Sequence, residues 1–384
     1  MSTLRKFTRR LFVISNLVVV VLFLLACANA VLSPVRWWFI SILGFIFPFL
    51  LLLLICFFIG GLFFRSGRRW ALVSLVALLV GWPNIHSFFA FHPLTHFNIG
   101  KPPHSLRVLT WNVRSWDEFI TKKAGASGHR IKMMEIIHEQ QADVLCLQEF
   151  FEFHNPGESD PYLAPNINYI QQQLQFPYYY FSRDYHLYYD MYTAGVVIFS
   201  KYPITDTLIM RYTLSDEFKK REAESLIAAD INVNGTKIRV FTTHLQSVLF
   251  HGKDFQDIAT IKGGGDGSIE ASRSLVRKLR FAFNRRAEQA TEVRDELDKS
   301  PYPAILCGDF NDIPNSYSYF TIRGGWQDAF SSKGFGIGRT YKYISPTLRI
   351  DYILADPRLH VLQCQKLKLP YSDHCPVMAD LQLP

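Results

Sequence analysis

Aspartate and glutamate are missing from the first hundred residues of this 384-residue chain. Chemistry that needs a carboxylate is therefore confined to residues 101–384. The first hundred residues also carry the whole formal net charge of +8, through Arg5, Lys6, Arg9, Arg10, Arg36, Arg65, Arg68 and Arg69. The remainder holds all 33 acidic side chains and 33 of the 41 basic ones, so it offers a polyanion no net attraction. Duplex binders usually neutralise several phosphates with Lys and Arg, and neutrality lowers that reading while leaving room for a local basic patch. Cysteine is scarce as well, with six in all. Cys27 and Cys56 fall in apolar runs, and Cys146, Cys307, Cys364 and Cys375 lie in or beside strand-like segments without paired metal spacing. They read as buried thiols, and an oxidising compartment would permit a disulfide without requiring one. The glycine run Lys262-Gly263-Gly264-Gly265-Asp266-Gly267 has no strand immediately before it, which excludes a phosphate-cradling loop and leaves a flexible connection.

What the first hundred residues do contain is three charge-free apolar runs, Leu11–Leu32, Trp37–Phe64 and Trp70–Phe91. Each reaches the roughly 20 residues needed to cross a bilayer core. A cleavable signal peptide competes for the first run, because Arg5 to Arg10 resemble its basic start and Ala26 to Ala30 offer small residues. The length of that run and the two that follow favour a three-helix transmembrane anchor over residues 1–100. Four basic residues precede the first span and three separate the second from the third. The positive-inside rule then puts the amino terminus and the second loop in the cytoplasm. Three crossings leave residues 101–384 outside, which in a Gram-negative cell means a multi-pass inner-membrane protein with a periplasmic domain. Trp37, Trp38, Trp70 and Trp82 lie towards run ends, where interfacial aromatics are expected.

Residues 101–384 read as one α/β domain, ample to bury a large core. Short strands are expected at Arg107–Val113, Asp143–Gln148, Tyr178–Ser182, Ala194–Ser200, Leu226–Val233, Lys237–Thr243, Ala304–Cys307, Ile350–Ala355 and Val377–Leu381. Helical spacing covers His129–Gln141 and a later segment through Val276, Leu279, Phe283, Ala287, Ala290, Val293 and Leu297. Asn234-Gly235 is a two-residue hairpin signal between alternating runs. Consecutive antiparallel strands argue against a purely parallel sheet, so the expected architecture is a mixed two-sheet β-sandwich flanked by helices, in four αββα layers.

Polar clusters sit at the ends of these strands: Thr110-Trp111-Asn112, Leu147-Gln148-Glu149, Thr243-His244-Leu245, Gly308-Asp309-Phe310-Asn311, Arg349-Ile350-Asp351-Tyr352 and Ser372-Asp373-His374. In this order they resemble the motifs of the endonuclease/exonuclease/phosphatase superfamily, which includes deoxyribonucleases, abasic-site endonucleases, inositol polyphosphate phosphatases and neutral sphingomyelinases. The resemblance spans nearly all of residues 105–384, and with the apolar start the chain looks like a membrane-anchored bacterial branch. It implies a divalent-metal-dependent phosphoric ester hydrolase acting by in-line water attack. It says much less about the substrate. Arg114 stands two residues after Asn112, where abasic-site endonucleases carry an acidic residue, and that departure puts a second metal contact there in doubt.

The residue types suit that chemistry. A phosphoester redistributes negative charge over its oxygens in the transition state and needs a cation and aimed donors. Glu149 is a hard oxygen ligand for Mg²⁺ or Mn²⁺, Asn112 can offer its amide oxygen or hold a metal water, and Asp373 can complete the coordination. His374 is the expected general base, since a histidine works in either direction near neutrality. The resemblance makes Asp351 its orienting acceptor. Asp309 would position the water or the leaving-group proton, Asn311 would hold Asp309 and a phosphate oxygen, and His244 would donate to the phosphoryl oxygen. Each of these residues alone also suits a solvated strand end or a turn; their joint occurrence is what favours a site.

Three readings compete. The first is a membrane-integral phosphodiesterase or phosphatase acting on a lipid head group or small phosphoester, with no obligate protein partner. The second is an endonuclease or exonuclease acting on DNA or RNA. The third is an inactive membrane-tethered binding protein, which would be expected to have lost one of Glu149, Asp309, Asn311 or His374. The tyrosines between 178 and 192 and the run Lys219-Lys220-Arg221 suit a strand, its loop and solvated charge better than a base-stacking track. Arg286 and Gln289 of the later helix are candidates to reach the site.

Overall fold

The computed structural model describes residues 3–64, 67–118, 127–154, 165–187, 191–212, 224–248 and 268–384. Arg65, Tyr188, Tyr189, Lys219-Lys220-Arg221 and the Lys262–Gly267 glycine run lie outside the described residues. The chain forms two compact units, one of residues 1–88, 248–288 and 313–321, the other of residues 89–247, 289–312 and 322–384.

The first unit is helical. Helix α1 (Thr3–Ala28) and helix α2 (Pro34–Leu62) are long and apolar enough to cross a membrane. Their aromatic side chains interlock at both ends, Phe12 with Phe57 at 5.3 Å and Phe23 with Phe47 at 5.4 Å. The third apolar run departs from the single span expected over residues 70–91. It splits into α3 (Arg68–Val80) and α4 (Trp82–Phe88), bent by 64°, and its last residues form a strand, β1 (Ala90–Phe91), in the second unit. The break has a local cause: Pro83 sits in the first turn of α4, where its missing N–H is tolerated only at a helix start. Thirteen residues of α3 reach only about 20 Å at 1.5 Å per residue. The broken segment nevertheless runs along α1. Asn16 donates to Trp70 O at 3.1 Å and accepts from Ser74 Oγ at 2.9 Å, while Asn84 donates to Cys27 O at 3.3 Å. Gly81 permits this approach, because a Cβ there would meet the Phe23 ring.

Later segments of the chain join the same unit at the end where α1 passes into α2. Buried Asn29 accepts from Ser41 Oγ at 2.9 Å and donates to Asn315 O at 3.2 Å, and Phe45 lies 5.9 Å from Phe283.

The second unit is a mixed α/β sandwich. Its first sheet is built from β2 (Ser105–Asn112), β3 (Val144–Phe153), β4 (Tyr178–Phe181), β5 (Tyr185–Leu187), β6 (Tyr192–Ser200), β14 (His360–Lys366) and β15 (Val377–Gln382). The strands run in the order β14-β15-β2-β3-β6-β4, with β5 on β6. The second sheet contains β7 (Ile204–Met210), β8 (Glu224–Val233), β9 (Thr236–His244), β10 (Ala304–Asp309), β11 (Gln327–Asp328) and β13 (Asp351–Ala355), in the order β11-β13-β10-β9-β8-β7. A short strand β12 (Phe335–Gly336) pairs with β1. Asn234 and Gly235 both take positive φ in the turn between β8 and β9, as the hairpin signal requires.

Alternate residues of the two sheets meet face to face. Val108, Val144, Cys146, Val196 and Ile198 from one pack with Ile227, Ala229, Val240, Ile305 and Cys307 from the other. The outer face of the first sheet, with Leu109, Trp111, Leu147 and Phe199, is covered by Met133, Met134 and Ile137 of α5 (Ser127–Glu139) and by Ile167 and Ile170 of α6 (Asn166–Gln173). Helix α7 (Ser268–Asp298) buries Ala290, Val293 and Leu297 in this unit. Helix α8 (Tyr317–Arg323), most of which belongs to the first unit, follows β10, and α9 (Ala329–Lys333) follows β11. Cys146, Cys307, Cys364 and Cys375 are all buried and free. Of the tyrosines, Tyr179, Tyr180 and Tyr192 pack against the core clusters rather than forming an exposed platform.

Each sheet contains one parallel pair, β2 with β3 and β9 with β10. Parallel neighbours end at the same edge of a sheet, so strand direction brings Asn112 beside Glu149 in the first sheet and His244 beside Asp309 in the second, and the hydrogen bond from Asn112 to Asp309 joins the two edges.

Candidate functional site

Register does most of the assembly. Asp309 pairs with His244 across the parallel ladder and with Asp351 across the antiparallel one. On the other sheet, β15 begins opposite Thr110 at Val377, three residues after His374. Asn112 then bridges the sheets: its Nδ2 donates to Glu149 Oε1 at 2.9 Å and to Asp309 Oδ2 at 3.1 Å, and its Oδ1 accepts from Arg114 N at 3.0 Å. His244 Nε2 lies 3.6 Å from Asp309 Oδ2 and 3.9 Å from Glu149 Oε1. His374 Nδ1 faces both oxygens of Asp351 at 3.0 and 3.1 Å, while Nε2 points to Asp309 Oδ2 at 3.6 Å and Asp373 Oδ1 at 3.9 Å. Asn311 caps Asp309 through its backbone N–H at 2.8 Å, and its Nδ2 donates to Leu245 O at 3.0 Å. All eight residues singled out in the sequence thus converge. Gln289 instead accepts from Gln246 N at 3.0 Å, beside the site, and Arg286 is fully buried in α7.

The backbone is held in costly conformations here. Glu149 sits in a bulge where two residues of β3 oppose one of β6, with φ of 48°. A bulge re-aims a side chain, and it leaves Glu149 the most open of the carboxylates at 37 % side-chain exposure. Asn311 and Ser372 also have φ near 50°, and Arg114, Ser115, Trp116 and Asp117 form a left-handed turn directly after Val113. Each such non-glycine residue costs of order 1–2 kcal/mol, and strain of this kind concentrates at functional sites. Ser372 recovers part of the cost by donating Oγ–H to Asn112 O at 2.8 Å while its Oγ accepts from His374 N at 3.0 Å.

Gly308 is required by close approach. A Cβ at that position would run into the backbone carbonyl of Thr243 on the neighbouring strand. Gly308→Ala should therefore lower unfolding stability by roughly 1–3 kcal/mol, the usual cost of overpacking, read as a fall in the chemical-denaturation midpoint. An unchanged midpoint would refute the close packing of β9 on β10.

Electrostatics concentrate negative charge. Burial pushes the Asp309 carboxyl up to about 6, against the pull of His374 and His244. Burial likewise raises Asp373, although His374 and Arg114 oppose it. For His374 burial acts downward, but Asp351, Asp309 and Asp373 outweigh it and lift the imidazole to about 10. Because the folded value lies above the ordinary 6.5, the stability this contributes is complete below pH 6.5 and is lost as pH rises through 10. In chelator, ¹⁵N-resolved NMR of the imidazole should show His374 still charged at pH 8; a midpoint near 6.5 would contradict the carboxylate field.

Glu149 and Asp309 both accept from Asn112 Nδ2, and Asp309 and Asp373 both lie within 3.9 Å of His374 Nε2, so the three carboxylates offer hard oxygen donors of the kind a divalent cation takes. Asp309, Asp351 and His374 also bring ligand atoms within 4.8 Å of one another. That trio fits a metal less well, because Asp351 and His374 Nδ1 are already engaged with each other. Asn112 turns its NH₂, not its oxygen, towards the carboxylates.

Several contributors were not singled out in the sequence. Tyr341 stacks edge-on against His374 at 5.1 Å. Arg114, marked in the sequence only as a departure from the family pattern, places Nε 3.3 Å from Asp373 Oδ2. Lys342 donates Nζ to Tyr371 O and Ser372 O at 2.7 and 2.6 Å, holding the segment that carries Asp373 and His374. Arg339 to Lys342 lies in an aperiodic stretch with no strand or helix signal. Ser372 stood inside a recognised motif, two residues before the histidine whose N–H it accepts.

The chain belongs to the endonuclease/exonuclease/phosphatase family, whose model matches residues 109–374. A second family model, a domain of unknown function (DUF8431), matches residues 9–88. No curated protein matches. Among solved structures, the chain is similar to an endonuclease/exonuclease/phosphatase from Beutenbergia cavernae DSM 12333, at 20 % identity and a TM-score of 0.52 over 73 % of this chain and 72 % of that one. It is also similar to an endonuclease/exonuclease/phosphatase family protein from Bacteroides thetaiotaomicron, at 18 % identity and a TM-score of 0.50 over 74 % of this chain and 99 % of that one. The human Nocturnin catalytic domain, solved with a bound sulfate anion, matches at 18 % identity and a TM-score of 0.49 over 74 % and 97 %. At these identities the Beutenbergia and Bacteroides structures speak for the shared fold alone.

Proposed function

We propose that this chain is a membrane-anchored, divalent-metal-dependent hydrolase that cleaves a phosphodiester or phosphomonoester by in-line attack of water. The observation that carries this reading is the Asp351–His374 pair, whose Nε2 opens onto the Asp309 and Asp373 carboxylates. Asp351 accepts the Nδ1 proton, which fixes the tautomer that leaves Nε2 able to take a proton from water. Asp309, held by Asn112 and by Asn311 N, orients that water or positions the proton that passes to the leaving group. His244 and Asn311 serve as donors to the phosphoryl oxygens, and His244 already points into the same space as Asp309. Glu149 and Asp373 hold the Mg²⁺ or Mn²⁺ ion, with Asn112 orienting Glu149. When bound, the ion supplies positive charge to the phosphoryl oxygens and offsets the carboxylate field that keeps His374 protonated.

The proposed address is an inner membrane with the catalytic residues on its outer side. The basic residues flanking α1 and the α2–α3 connection favour a cytoplasmic amino terminus. Within the helical unit, α4 and residues 313–321 return to the end where α1 meets α2, as the Asn84–Cys27 and Asn29–Asn315 contacts indicate, and this favours an odd number of crossings. A reporter fused after Pro384 should be active only outside the cytoplasm; cytoplasmic activity would contradict the arrangement. For substrate, the full-length protein is offered short DNA, RNA, sphingomyelin-like lipid and inositol phosphates with Mg²⁺. Turnover of a lipid or small ester supports the reading, whereas turnover confined to nucleic acid replaces it with the nuclease alternative. Turnover of none of these, or of any simple phosphodiester, would leave an inactive binding protein.

A further inference from the structure

A second site lies in the helical unit. Between the first turn of α2 and the amino-terminal half of α7 is an open cleft of about 550 Å³, lined by Trp38, Ile269, Val276, Arg273, Arg277 and Arg280 among others. The arginines stand at i, i+4 and i+7, a spacing that puts all three on one helical face. Arg280 lies over the Trp38 ring at 5.7 Å. Among the described residues, Arg273 and Arg277 make no hydrogen bond or ion pair, and no carboxylate lines the cleft. Glu270, the acidic residue in the first turn of α7, is not part of its wall. The opposite face of the same helix carries buried Ala271 and Ala282, and Phe283 is buried on its flank.

Two features choose the occupant. First, the cleft combines three guanidinium groups with apolar walls, including Ile269 at 67 % exposure. A free phosphate would leave that apolar surface in water; an acyl chain would cover it. Second, Trp37 and Trp38 lie at the start of α2, a helix able to cross a membrane, and tryptophan marks the level of lipid head groups. Guanidinium forks match phosphate oxygens bidentately. We propose that this cleft binds an anionic phospholipid, its phosphate held by Arg273, Arg277 and Arg280 and its upper acyl chain lying along Trp38, Ile269 and Val276. The site is separate from the hydrolytic one and stands or falls independently of it.

The test is native mass spectrometry of the full-length chain in a non-ionic detergent, titrated with phosphatidylglycerol or phosphatidylcholine at equal concentrations. The expected result is a preference of about tenfold or more for phosphatidylglycerol. It should fall to near parity in the double variant R273Q/R277Q and survive in R273K/R277K, which keeps the charge. Thermal midpoints show whether the variants are folded, and R277Q alone, a single exposed change, gives a second reading of the same loss. Equal binding of the two lipids by the parent chain would overturn the proposal, as would an undiminished preference in folded R273Q/R277Q. So would displacement of phosphatidylglycerol by an equal concentration of glycerol phosphate, which would mark the cleft as a site for free phosphoesters.

Discussion

Replacing His374 by glutamine, which keeps a polar side chain in the same buried space, is expected to lower kcat on a phosphodiester by about 10²–10⁴-fold with little change in KM. The size follows from the position. His374 is buried, anchored through Nδ1 to Asp351, and directs Nε2 at the carboxylate cluster. If His374 is the base we propose, losing it removes the proton acceptor from the attacking step while leaving Glu149 and Asp373 in place, so ground-state binding should survive. Asp351→Asn should cost less, because the imidazole remains and only its tautomer and orientation are released. The pH profile separates the two roles: a base at position 374 makes the acid limb of the rate profile depend on this residue, and His374→Gln should flatten it. Full activity in a folded His374→Gln protein would end the general-base assignment.

Glu149→Gln should act through the metal instead. The change is isosteric and suits the bulge, yet it removes one of the few negative charges available to a cation. Outer-shell partners of metal ligands typically cost 10–100-fold in affinity or activity when mutated, and a direct ligand should exceed about 100-fold. Calorimetric titration with Mn²⁺ reads the affinity directly, and activity should recover in part at high Mn²⁺. A variant that binds Mn²⁺ as tightly as the parent would move the ion away from Glu149, towards Asp309 and its neighbours.

The strands that carry these residues were visible in the sequence because short apolar runs ended in polar clusters. Strand direction then did what no local pattern reveals: Asp309 reached His244 and Asp351 through ladder register. Strands β7 and β14 escaped notice for a related reason. They are sheet edges, with partly exposed, polar-interrupted patterns such as Asp206 and Thr207, or Gln363 and Gln365. Tyr341 and Lys342 were hidden because an aperiodic segment acquires its role only when β15 brings Asp373 beside it. Composition identified the apolar third run correctly, but hydropathy does not register a helix break. Gly81 and Pro83 decide that the run bends, and the tail at Ala90–Phe91 is claimed by a strand. Arg114, noted as a departure from the family pattern, proves to meet Asp373; a salt partner across 259 positions leaves no trace in local sequence.

The central proposal is a metal-dependent phosphoesterase site formed by these strand ends. The most direct test is hydrolysis of bis-(p-nitrophenyl) phosphate by the purified full-length protein, before and after chelation and after return of Mg²⁺ or Mn²⁺. The prediction is turnover that EDTA abolishes and either ion restores, with His374→Gln inactive under all three conditions. Hydrolysis that persists undiminished in EDTA, or that His374→Gln retains in full, would contradict it.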